Sequence, residues 1–111
     1  MRNVFRIGSH VGRGAFGLAA LALTSGAALA YDATRGAKLA MHWCASCHIV
    51  SSDQSSGSDS APPFSSIANR PDFSEKRTAR FLTHSHPRMP AVHLSRDEAR
   101  DLGAYIATLK R

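Results

Sequence analysis

Cysteine is scarce in this chain: the 111 residues hold two, Cys44 and Cys47, and no second C-x-x-C pair. That shortage leaves half a zinc site at most, and His42, His84, His86 and His93 do not form the compact H-x₃₋₅-H pair of a zinc finger. A disulfide between cysteines so close would close too few residues to stabilise much. No strand-rich alternation flanks the pair, which removes the βαβ setting of a thioredoxin-like dithiol. After the first thirty residues there is no apolar run of membrane length, so the rest of the chain is expected to be soluble. Aromatic residues make up 7% of the chain and nowhere interleave with a basic stripe, so the net charge of +6 is not a nucleic-acid signature. From Ser51 to Ser60 there is no apolar residue at all, which makes that stretch a loop.

The first thirty residues carry the pattern of an export leader. Arg2, Arg6 and Arg13 precede the apolar run Ala15 to Leu23, and Ala28-Leu29-Ala30 supplies the small residues of an A-x-A cleavage site. The rival reading, an uncleaved anchor, meets a stretch diluted by Gly17, Thr24, Ser25 and Gly26 and shorter than a bilayer requires. Residues 1–30 are therefore expected to be a cleavable secretory signal, and residues 31–111 one exported domain. The leader holds three of the fourteen basic residues and no acidic one, leaving eleven against eight, a net charge of +3. A modest positive charge of this kind can steer docking to an acidic partner. A domain of 81 residues buries only a marginal core and usually relies on a staple, metal or cofactor.

The cofactor is written in His42-Trp43-Cys44-Ala45-Ser46-Cys47-His48. C-x-x-C-H is the signature of covalent haem attachment. Two thiols about one helical turn apart can each add to one of the vinyl groups of a haem. The next residue then offers an imidazole nitrogen to the iron, so Cys44 and Cys47 are expected to bind haem c and His48 to ligate it.

Before the motif, Asp32 or Thr34 can cap a helix over residues 31–41, with Gly36 and Ala40 on one face where another element can approach closely. Trp43 reads as a packing residue. After the serine-rich loop, Ala61-Pro62-Pro63-Phe64 restores stiffness. A proline carbonyl there can accept the second ring N–H of His48, and Phe64 and Ile67 are expected to fill the haem pocket. Asp72 or Ser74 caps a helix from Glu75 to about Thr83, with Phe81 and Leu82 on its apolar side. The last helix begins at the capping box Ser95-Arg96-Asp97-Glu98, and Ala99, Leu102, Tyr105, Ile106 and Leu109 form one apolar face. The small-residue face of the first helix is its expected partner.

A haem devoted to electron transfer needs a sixth ligand. Met41 and His42 lie too near the attachment turn to reach the opposite face. Met89, bracketed by Pro87 and Pro90, is favoured for its thioether and its stiff loop, with His86 or His84 next.

Together, Gly36 and Ala40 before Cys44-Ala45-Ser46-Cys47-His48, then Ala61-Pro62-Pro63-Phe64, Met89-Pro90, and Leu102 with Tyr105, resemble the class I cytochrome c family. The resemblance implies an all-α fold of three to four short helices around one covalently bound haem c. It also implies a crossing of first and last helices at Gly36, Leu102 and Tyr105, with Ala40 where the family has an aromatic residue. Pro62 fits the family's spacing for the histidine partner better than Pro63. The implied function is a periplasmic one-electron carrier, not an enzyme, exchanging electrons with periplasmic or membrane-bound redox proteins. Two alternatives remain: a haem subunit of a larger dehydrogenase or oxidase, and a peroxidase or gas sensor using His84 or His86.

Overall fold

The structure, a computed structural model, describes residues 30–111. The expected export leader, residues 1–30, lies outside the described residues apart from its last residue. Four helices follow in order: α1 (Ala33–Trp43), α2 (Phe64–Ala68), α3 (Glu75–Leu82) and α4 (Arg96–Thr108). No strand forms among the described residues, which makes the fold all-α. None of these helices is long and apolar enough to cross a membrane.

Local chemistry fixes the helix starts. The Asp32 side chain accepts the Arg35 N–H, so Asp32 and not Thr34 is the cap of α1. Ser74 caps α3 by accepting the Arg77 N–H, while Asp72 pairs with Arg70 and Arg77 outside the helix. At α4 the capping box is complete: Ser95 accepts the Glu98 N–H, and the Glu98 carboxylate accepts the Ser95 N–H at 2.8 Å. The first helix starts and ends two residues later than its residue pattern implies, because the Asp32 cap sets its start and its last turn continues into the cysteine motif. Helix α2 had no periodic signal. It is a single turn launched by Pro63, too short to show a period.

Helix α4 touches each of the other three helices, α1 most extensively. Two glycines make the approaches possible. A Cβ on Gly36 would collide with the Asp101 carbonyl oxygen and stand 2.8 Å from Tyr105 Cβ, and a Cβ on Gly103 would stand 2.8 Å from the Glu75 carbonyl oxygen. Gly36 therefore allows α1 against α4, and Gly103 allows α3 against it. Beside the first crossing, the buried Asp101 carboxylate accepts the Asp32 N–H at 2.8 Å and pairs with Arg35, so its charge is met on both oxygens. Ala40 and Leu102 are both fully buried at this contact, so the small Ala40 is accommodated by close approach of the helices.

The core beneath is thin. Of eight buried apolar residues among those described, four are alanines; Val50, Phe64, Leu102 and Ile106 supply the bulk. Large apolar side chains elsewhere face outward: Met41 is 54% exposed, Trp43 51% and Phe81 47%. Trp43, read as a packing residue, stays outside this core and sets its ring edge-on against His42, 4.6 Å between centroids. Phe81 does not join Leu82 in the core; it stacks on His86 at 3.5 Å between ring centroids.

Candidate haem attachment site

The end of α1 builds the motif. The Cys44 N–H donates to the Ala40 carbonyl at 2.9 Å and the His48 N–H to the Cys44 carbonyl at 2.8 Å. The helical turn is thus carried through the motif, bringing Cys44, Cys47 and His48 onto one loop of backbone. Both cysteines are free. Cys47 is exposed, whereas burial pushes the half-buried Cys44 thiol up to about 11, so it stays a neutral S–H at pH 7.

His48 is oriented from two sides. Its Nδ1 stands 2.7 Å from the Pro62 carbonyl oxygen, and its ring lies 5.3 Å from that of Phe64 at a 50° tilt. A carbonyl can only accept, so Nδ1 carries the proton and Nε2 is left with a free lone pair. That is the tautomer a metal-binding histidine requires, with the second nitrogen held by a backbone oxygen. Pro62, not Pro63, makes the contact; Pro63 caps α2 and aims Phe64 inward. Phe64 is buried and Ile67 half-buried against the same core, so Phe64 acts on His48 directly and Ile67 only through packing.

The segment after His48 is better organised than its composition implies. The Gln54 side chain reaches back to Val50 N, Ala45 O, His48 O and Ser56 O, and the Tyr105 hydroxyl donates to the Val50 carbonyl at 2.6 Å. Residue pattern missed Gln54, a single amide among serines. Its length, sufficient to bridge a turn six residues upstream, was the available signal.

Met89 lies half-buried in the loop between α3 and α4, its N–H donating to the His86 carbonyl at 3.3 Å. The neighbouring histidines are engaged locally. His84 Nδ1 donates to the Arg80 carbonyl at 2.7 Å, and His86 Nε2 to the Phe81 carbonyl at 2.9 Å.

A haem suits this arrangement. The thin, alanine-rich core and the outward-facing Met41, Trp43 and Phe81 lack an apolar mass that a porphyrin would supply. Two free thiols and one correctly protonated imidazole meet its attachment chemistry. Among the described residues, no three His, Cys, Asp or Glu side chains gather as a metal-holding group.

A family model described as "Cytochrome C oxidase, cbb3-type, subunit III" matches residues 31–106. Cytochrome c-552 of Bradyrhizobium diazoefficiens is 52% identical over 91 residues, covering 82% of this chain and 88% of that protein. No solved structure matches the chain. With the attachment turn and its histidine tautomer, these matches mean that the chain belongs to the class I c-type cytochromes, electron-transfer proteins that carry haem c.

Proposed function

We propose that the chain is exported, loses residues 1–30, and works in the periplasm as a one-electron carrier. Cys44 and Cys47 hold haem c as thioethers, and His48 and Met89 are its axial ligands. The observation that carries this reading is the 2.7 Å contact from His48 Nδ1 to the Pro62 carbonyl, directly after two free cysteines. Bound haem c supplies an iron that gains and loses one electron.

The residues divide the work. Pro62 sets the tautomer and direction of His48 and raises the basicity of its free nitrogen. Phe64 backs the imidazole ring and, with Ile67, keeps water from that side. Met89 is favoured on the other side because its thioether suits haem iron and because Pro87 and Pro90 stiffen the loop that carries it. Redox proteins of the periplasm or membrane are the expected partners, and nucleic acid is not.

Extraction of purified holo-protein with acidic acetone tests the attachment. Haem should stay with the chain after unfolding; a mass equal to the chain without haem would sink the reading. A second reading, a haem subunit of a membrane oxidase, is favoured by the description of the matching family. Native co-purification decides between them: a stoichiometric large partner replaces carrier with subunit.

A further inference from the structure

The backbone that follows the cysteines has a partner at each successive carbonyl. Cys47 O accepts from the Ser58 N–H at 2.7 Å, and Ile49 O from the Phe64 N–H at 2.9 Å. Val50 O accepts from the Tyr105 hydroxyl at 2.6 Å. The groups left over converge on one side chain. Gln54 Oε1 accepts the Val50 N–H at 3.0 Å, while the two N–H groups of Nε2 are shared among Ala45 O at 2.9 Å, His48 O at 2.8 Å and Ser56 O at 2.7 Å. The amide can face only one way, because Val50 N is purely a donor and the three carbonyl oxygens are purely acceptors.

We infer that Gln54 is a positioning residue for the haem attachment turn and for His48. The inference rests on the haem reading proposed above. Two anchors act on one residue: Gln54 holds the His48 peptide carbonyl and Pro62 holds the His48 ring. With the first released, the peptide plane at His48 can rotate and the Nδ1–H bond to Pro62 lengthens. A weaker bond makes the imidazole less basic, and a less basic ligand supports ferric iron less well, so the potential rises. Gln54 also clasps Ala45 O, inside the motif itself. It thereby holds the turn between the cysteines in the shape that presents both sulfurs.

Gln54→Glu and Gln54→Met separate these contacts. The first keeps an oxygen for the Val50 N–H but sets a carboxylate against three carbonyls; the second removes every polar contact at similar size. Tyr105→Phe serves as the comparator, since it frees a carbonyl of the same segment without touching Ala45 or His48. Each variant is expressed as the full chain with haem-attachment machinery. The readouts are covalent haem per chain, the midpoint potential, and the NMR shifts of the His48 ring and haem methyl groups.

The inference expects both Gln54 variants to raise the potential and move the His48 ring signals, or to lose much of their covalent haem, while Tyr105→Phe keeps all three near the parent's values. Gln54 variants that lose thermal stability yet match Tyr105→Phe in haem content, potential and ring shifts would overturn it, making Gln54 a loop staple only. A parent chain carrying no covalent haem would overturn the haem reading as well, so the two failures are distinguishable.

Discussion

The loop that follows His48 and the loop that carries Met89 share a composition, polar residues and prolines without regular structure, yet they are held in different ways. The first is tied into the rest of the molecule: His48 to Pro62, Ile49 to Phe64, Val50 to Tyr105, and four backbone groups to Gln54. The second is tied mainly to itself and to the end of α3, by Met89 N–H to His86 O, Leu94 N–H to Val92 O, and the two histidine rings. Among the described residues, no hydrogen bond joins residues 87–94 to α1 or to the His48 loop. The His48 loop is thus held by contacts to several elements of the fold, whereas the Met89 loop is stiffened mainly by its prolines and by contacts within itself and to the end of α3.

The largest effect should come from removing what both loops share. Cys44→Ala with Cys47→Ala should leave a chain without haem and mostly unfolded, read by loss of helical circular dichroism, because the protein's own core is too thin. A well-folded haem-free chain would show the His48 loop to be stable alone. Gly36→Leu comes next: a side chain where even a Cβ collides with Asp101 should force α1 from α4 and cost about 1–3 kcal/mol or more in denaturant unfolding.

Met89→Ala separates the two loops. It should abolish the long-wavelength charge-transfer band of thioether-ligated ferric haem and lower the potential, while cyanide or azide binds faster. Amide exchange should rise across residues 84–94, with residues 47–50 remaining protected; faster exchange in both would break the contrast. Tyr105→Phe should destabilise by about 1 kcal/mol through the freed Val50 carbonyl.

The smallest effect concerns Glu98, whose carboxyl is held below its ordinary range by the Ser95 backbone N–H and then the Ser95 hydroxyl, with a lesser pull from Arg35. A depressed carboxyl contributes stability above its unfolded pKa, and loses it as pH falls through the folded one. Glu98→Gln should therefore lower the Tm slightly at neutral pH and not at all once the parent's Glu98 is protonated.

Much of this was legible in residue types. C-x-x-C-H, the Ser95 capping box and the small face at Gly36 and Ala40 are local chemistry and appear where the pattern sets them, while Asp32 and Ser74 are each one of the two caps the pattern allowed. The partnership of α1 and α4 was legible because each has one face requiring cover. What was not legible depends on distant geometry. Asp101 reads as an ordinary helix charge until Asp32 and Arg35 close on it, and Gly103 reads as a weak helix residue until the Glu75 carbonyl lies above it. Trp43 is apolar by type but exposed by position. Gln54 is silent because one amide carries no period.

The Gln54 clasp has a consequence in time. Its partners lie two to nine residues away, whereas Tyr105 and Val50 are 55 apart and Asp32 and Asp101 are 69 apart. A chain delivered N-terminus first completes the short-range clasp once about a dozen residues have followed Cys44, long before α4 arrives. Short loops close quickly and long ones wait for their far end. The turn between the cysteines can therefore take its final shape while the chain around it is still open, and the late docking of α4 then seals a site already set.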